Sequence, residues 1–157
     1  LVAREILTGL QLPCFVKTDG ASGLHVYIPL DSKSEFDTGR RVAEYLCKLV
    51  QLKIPDLVTL KGSENAAYGK VSIDYQTNEQ GRGVVAPYSL ITGQSENVAA
   101  PLSWEEVKEG LKAEEFNHET IFKRLKEQGD PFATLYRKKA NADALLERMK
   151  DHYSFLL

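Results

Sequence analysis

Sulfur is scarce in this chain, and what there is does not suit chemistry. Its two cysteines, Cys14 and Cys47, sit in the apolar runs Leu12-Pro13-Cys14-Phe15-Val16 and Tyr45-Leu46-Cys47-Lys48-Leu49, and no Cys-x-x-Cys occurs. That excludes a disulfide framework and predicts buried free thiols in a reducing compartment. Histidine is nearly as scarce: of the three, His118 and His152 fall near helix ends without a ligand-spaced partner, so no metal is expected there. Long hydrophobic runs are missing. The longest uncharged stretch, Gly83 to Ser95, is broken by Pro87, Ser89, Thr92 and Gly93 and falls short of the ~18 apolar residues of a membrane span. Arg4 and Glu5 interrupt the apolar start, so no signal peptide is expected. Neither a Gly-x-Ser-x-Gly nor a P-loop is present, and Gly81-Arg82-Gly83 lacks the Lys-Ser/Thr that a phosphate cradle needs. Nor is there an excess of one charge: 20 Lys+Arg against 22 Asp+Glu leave a net charge of -2. A generally polybasic nucleic-acid binder is excluded; a local basic patch is not.

What remains is an ordinary globular composition, with 43% apolar and 27% charged residues in 157. That is enough chain for a single domain with a real core, over residues 1–157. The start at Leu1, already inside a helical pattern, is expected of a segment cut from something longer.

Val2, Ile6, Leu7 and Leu10 recur at helical spacing, and Pro13 ends that element. Cys14 to Lys17 is a short strand candidate, and Thr18 to Gly23 a turn-rich loop. Leu24 to Ile28 alternates with period two: Leu24, Val26 and Ile28 are expected on the core face, His25 and Tyr27 on the other. A helix over Phe36 to Leu52 carries the stripe Val42, Tyr45, Leu46 and Leu49, with Asp37 or Thr38 as N-cap. Lys61 to Gly69 reads as a loop. Lys70 to Gln76 alternates again, with Val71, Ile73 and Tyr75 toward the core and Ser72, Asp74 and Gln76 away from it. A broken strand follows over Val84 to Ile91, interrupted by Pro87. Ser103-Trp104-Glu105-Glu106 is a capping-box pattern that predicts a helix to about Leu111. Asn117 caps a helix through Gln128, stopped by Gly129 and Pro131, and a last helix covers Asn141 to Tyr153 before Phe155-Leu156-Leu157. The fold class is α+β, a mixed or antiparallel sheet with flanking helices and a helical C-terminal third.

Two polar side chains stand out. His25 follows a glycine-containing loop whose free N–H groups are suited to an anion nest. Asp74 is a lone carboxylate in a strand of β-formers, a costly place unless it is solvated or bound to something. Lys123, Arg124, Lys126, Arg137, Lys138 and Lys139 make a basic stretch, suited either to a phosphate backbone or to a solvated face.

Gly20-Ala21-Ser22-Gly23-Leu24-His25-Val26-Tyr27-Ile28-Pro29-Leu30 resembles the Ser-Gly-Gly-Lys-Gly-Leu-His-Val-x-Val-Pro-Leu segment of the polymerase domain of bacterial DNA ligase D. Gly69 to Tyr75, Asn78, Val85 to Leu90, Pro101 to Val107 and Gly129 to Phe132 resemble later blocks of the same family in order, so the resemblance covers most of the chain, as roughly the latter half of that domain. The family belongs to the archaeo-eukaryotic primase superfamily. The resemblance implies an RRM-like catalytic sheet and template-dependent nucleotidyl transfer to DNA ends in bacterial non-homologous end joining. It also implies two Mg²⁺ or Mn²⁺ ions held by three carboxylates. On it Asp74 is the third metal ligand and catalytic carboxylate, and His25, Gly23 and Asn78 lie at the incoming nucleoside triphosphate. His25 and Asp74 are then expected to project from neighbouring strands into one hollow. The implied partners are DNA ends, ligase or nuclease domains and an end-binding repair protein; the implied location is the cytoplasm, at the nucleoid, away from membranes.

Departures from the family pattern point elsewhere. Its leading Asp-x-Asp pair has no counterpart in these residues, and one carboxylate cannot hold two hard cations. Asp19 stands for a Ser, Ser22 for the motif Lys, Ala67 for a basic residue, Thr77 for a Gln and Ile91 for an Arg. Each removes a donor or a positive charge worth about 1.5–3 kcal/mol against phosphate. The alternative they favour is a catalytically inactive, polymerase-like module that binds DNA ends or a repair partner.

Overall fold

The computed structural model describes residues 1–62, 69–92 and 96–152; Ala67, Gly93 and the terminal Phe155-Leu156-Leu157 lie outside them, as does the side chain of His152. Among the described residues it is a mixed α+β chain of four α-helices and seven short strands. No described helix is long and apolar enough to cross a membrane. The chain gathers into two compact units: Leu1–Leu12, Leu30–Gly83 and Lys139–Leu157 form one, Pro13–Pro29 and Val84–Lys138 the other.

The first unit is helical around α2 (Phe36–Lys53), with α1 (Val2–Gly9) and α4 (Ala142–His152) packed on it. The periodic stripe does what its spacing requires: Val42, Tyr45, Leu46 and Leu49 are buried with Ile6 and Leu7 of α1 and Leu145 and Met149 of α4. Polar ties hold the helices at their ends. Arg148 donates to the Leu10 carbonyl at 2.6 Å and Lys53 to Glu5 at 2.9 Å. Asp31 accepts from Ser34 Oγ at 2.8 Å and from Asn141 Nδ2 at 3.2 Å, joining the approach to α2 to the start of α4. The N-cap of α2 is Glu35, without a side-chain cap bond, rather than Asp37 or Thr38. The sequence pattern missed β3 (Val58–Leu60), which pairs in parallel with β4 (Val71–Ile73). β4 is shorter than its alternation predicts, and Val71 is exposed rather than in the core.

The second unit is built on β1 (Phe15–Thr18), the middle strand of an antiparallel sheet between β2 (Leu24–Tyr27) and β7 (Pro101–Leu102). β5 (Leu90–Ile91) and β6 (Asn97–Val98) form a separate antiparallel pair. Val16, Val98, Ala100, Leu102, Phe116 and Ile121 make the core, the last from α3 (His118–Gln128). Asn117 caps α3 as its sequence predicts, with Thr120 completing the box.

Residues 103–111 do not form the expected helix. Half of the capping box is present, Glu106 Oε2 accepting from the Ser103 N–H at 2.8 Å, but Glu106 is also claimed by α3. Arg124 donates from Nη1 to Glu106 Oε1 at 2.7 Å, from Nη2 to Oε2 at 3.1 Å, and from Nη2 to the Pro101 carbonyl at 3.3 Å. Its guanidinium also lies 4.9 Å above the Phe116 ring. With only 15% of its side chain exposed, Arg124 is a structural cation.

Removing it strands the Glu106 carboxylate. Arg124→Ala is expected to cost about 2–3 kcal/mol in chemical denaturation, and Arg124→Lys to recover less than half of that, since an ammonium cannot make the two parallel bonds.

Candidate functional site

Direct opposition of β1 and β2 pairs Lys17 with His25 and Phe15 with Tyr27, so these four side chains share one face. On the edge strand β2 the more buried residues are those of this face, although Leu24 and Val26 share the opposite face with Val16, which closes the core. Leu24 and Val26 are 44% and 40% exposed, whereas His25 and Tyr27 are half-buried and Lys17 is fully buried. The expected alternation is present and its direction is reversed: β2 is a sheet edge, and Phe132 packs edge-on against both Phe15 and Tyr27, covering the polar face. Lys17 is a site residue that sequence reasoning missed. Its place on the Phe15 face of β1 was the available signal.

Burial sets the electrostatics. It lowers the Lys17 pKa, with Asp19 opposing; the ammonium donates to the Thr18 carbonyl at 3.0 Å. Burial first, then the Lys17 charge, lowers the His25 pKa against the pull of Asp19. His25 Nδ1 is buried and has no hydrogen-bond partner among the described residues. Gly23 is part of the loop before β2, whose N–H groups turn toward Asp19.

Asp74, just after β4, belongs to the other unit and another sheet, so the pairing of His25 and Asp74 on neighbouring strands is not formed. Its carboxylate is saturated. Oδ1 accepts the N–H of Gln76 at 2.8 Å and of Thr77 at 3.3 Å; Oδ2 accepts Thr77 Oγ1 at 2.9 Å and Lys61 Nζ at 2.7 Å. Partial burial pushes the carboxyl pKa up, but Lys61, the Thr77 hydroxyl and the two N–H groups outweigh it and hold the pKa below the ordinary carboxylate value. Lys61 had no sequence signal. Burial pushes the neighbouring Cys47 thiol up to about 11, with Asp74 and Glu44 adding to it; both cysteines are half-buried.

A two-metal site does not fit these residues. Asp74 offers one carboxylate with its lone pairs in use, and among the described residues no three His, Cys, Asp or Glu side chains converge. Asn78 lines an open cleft of about 680 Å³ with Phe36, Asp37, Arg40 and Glu79, in the same unit as Asp74 and a different one from His25 and Gly23. Of the basic stretch, Lys123, Lys126, Arg137, Lys138 and Lys139 are exposed, and Arg124 is the internal cation described above.

The lowered His25 pKa has a definite pH signature. Between that lowered value and 6.5 the unfolded chain binds a proton that the folded chain refuses, so stability rises with pH through this window and is complete above 6.5. Denaturation midpoints are expected to fall as pH drops below 6.5, and His25→Gln to remove that part of the slope.

Residues 1–132 match the family described as "LigD, primase-polymerase domain". The multifunctional non-homologous end joining protein LigD of Mycolicibacterium smegmatis is 33% identical over 146 residues, covering 90% of this chain and 18% of that protein. The bifunctional LigD of Bacillus subtilis is 27% identical over 150 residues, covering 94% and 24%. Among solved structures, the polymerase domain of Mycobacterium tuberculosis ligase D in complex with DNA superposes with a TM-score of 0.78 at 28% identity. That match covers 88% of this chain and 48% of that domain. The chain therefore spans about half of the solved polymerase domain and a quarter or less of these full-length relatives. Order of motifs, fold and family match agree: this chain belongs to the LigD primase-polymerase domain family.

Proposed function

We propose that this chain serves bacterial non-homologous end joining as a LigD-type polymerase module that holds DNA ends, and that these residues by themselves do not transfer nucleotides. The observation that carries the first half is the likeness to a polymerase domain solved on DNA, at 28% identity over most of the chain. The second half follows from the donor set, since among the described residues no three metal-ligating side chains converge and the Asp74 oxygens are engaged. Nucleotidyl transfer, which the family implies, requires further carboxylates beside Asp74, with Mg²⁺ or Mn²⁺. The roles the family implies, Asp74 as metal ligand and His25, Gly23 and Asn78 at the nucleotide, belong to a domain that has those carboxylates and a glycine loop free to bind, not to these residues as they stand. On this reading the sheet of β2, β1 and β7 is a portion of the RRM-like catalytic sheet.

DNA contact falls to the exposed cations Lys123, Lys126, Arg137 and Lys138, near two exposed aromatics in sequence, Phe122 and Tyr136. Cations follow the phosphates, and aromatic faces stack on unpaired bases at an end. Lys139, also exposed, extends the run. The partners such a module meets are ligase or nuclease domains and an end-binding repair protein, in the bacterial cytoplasm at the nucleoid.

Fluorescence anisotropy with a duplex bearing a single-stranded overhang tests this. Affinity is expected to fall with salt, and alanine at Lys123, Lys126, Arg137 and Lys138 to flatten the log–log salt slope by about 0.9 for each phosphate that is no longer neutralised. Primer extension with Mn²⁺ by the isolated chain is expected to show no incorporation; templated addition by these residues alone would overturn the second half of the reading.

A further inference from the structure

The loop joining β1 to β2 has the form of an oxyanion cradle, and it already holds an oxyanion. Asp19 Oδ1 accepts the backbone N–H of Ala21 at 2.7 Å and that of Gly23 at 3.0 Å. The Asp19 N–H closes the loop onto the Gly23 carbonyl at 3.0 Å. Oδ2 occupies the space where a side chain at residue 23 would begin: a Cβ there would lie 2.5 Å from it and would push the carboxylate aside. The neighbours hold the loop in this form. Gly20 has a φ of +83°, Ile91 packs where its Cβ would stand, and Asn97 Nδ2 donates to its carbonyl at 3.1 Å.

The strands beside the loop carry one ammonium, that of Lys17, and a neutral imidazole. Lys17 and His25 lie opposite each other on the two strands that leave the loop, and both feel the Asp19 charge. Convergent N–H groups with an ammonium close by are what a phosphate group requires. The two donors cannot serve a second anion while Asp19 holds them, and a second negative charge beside the first is repelled.

We propose that Asp19 is the resident occupant of a phosphate-type oxyanion site formed by the Ala21 and Gly23 N–H groups, and that it excludes nucleoside polyphosphates from this chain. Asp19 is thus a specificity-determining residue: it closes the site to a soluble nucleotide without touching the exposed cations assigned to DNA. The inference deepens the proposed function and rests on it for the class of anion excluded; the geometry stands independently.

An Asp that merely shapes the turn would make the same bonds, so the test removes its charge and follows the vacated donors. Inorganic tripolyphosphate is titrated into the wild-type chain, Asp19→Ser and Asp19→Asn while the Ala21 and Gly23 amides are followed by two-dimensional NMR. The wild-type amides are expected to stay still. Asp19→Ser, with a short neutral side chain, is expected to bind at least about tenfold more tightly and to shift both amides, as donors released to a charged acceptor should. Asp19→Asn keeps the acceptor and the shape but loses the charge, and is expected to show a smaller increase. Wild-type amides that respond as strongly as the variants', or folded variants no better than wild type, would overturn the proposal. Should the amide spectrum show that Asp19→Ser is unfolded, the Asn variant decides alone, and equality with wild type rejects it. DNA anisotropy run in parallel separates the two readings. A wild-type chain that fails to bind DNA removes the proposed function and leaves an Asp19→Ser increase standing; intact DNA binding with no such increase removes only this inference.

Discussion

A buried strand must have its backbone polar groups paired, and β1 is the strand on which the second unit depends. Val16, Lys17 and Thr18 are all buried. β2 takes one edge and β7 the other, and Thr18 extends the ladder with its side chain, accepting the Ala100 N–H at 3.0 Å and donating to the Val98 carbonyl at 3.1 Å. Once that pairing is made, alternation does the rest. One face receives Val16 and closes the core with Val98, Leu102 and Phe116; the other receives Phe15 and Lys17 and stands opposite Tyr27 and His25. The buried ammonium, the half-buried imidazole and the glycine loop between them follow from the register of two short strands.

Within each unit an aspartate is used internally where the family resemblance led one to expect an external ligand. Asp19 takes the N–H groups of its own loop. Asp74 takes Lys61, Thr77 and two N–H groups. Three of the five residues marked as departures are parts of these same arrangements: Asp19 and Thr77 supply bonds, and Ile91 fills the space over Gly20. A polar group left in a partly buried place must find partners, and here it finds them in the chain itself. Asp19, Thr77 and Ile91 thus serve local structure in positions where the family pattern has donors for phosphate.

Much of the fold was legible. The stripe of α2 and the cap of α3 depend on near-neighbour spacing and local hydrogen bonding, and both are found where the pattern puts them. Residues 103–111 close into turns instead of the expected helix: Glu106 keeps its half of the cap to the Ser103 N–H while also bound by Arg124 of α3, and its own N–H goes to the Ser103 carbonyl. β3 escaped notice because a three-residue strand carries no periodic signal. In the candidate site, His25, Gly23 and Asp74 were legible as polar or glycine positions beside alternating strands; Lys17 and Lys61 were not, since a lysine's burial or ion pair depends on what crosses the strand from elsewhere.

The amino-acid sequence alone determined the family, the apolar stripe of α2, the cap of α3 and the period of the strands, because motif order, capping chemistry and side-chain alternation are properties of neighbours along the chain. Which residues of β2 are the more buried, and whether a carboxylate is free for a ligand or already satisfied, was decided only by tertiary structure. Both depend on atoms brought in from distant positions: Phe132 on Tyr27, Lys61 on Asp74, Ile91 against the loop that Asp19 closes.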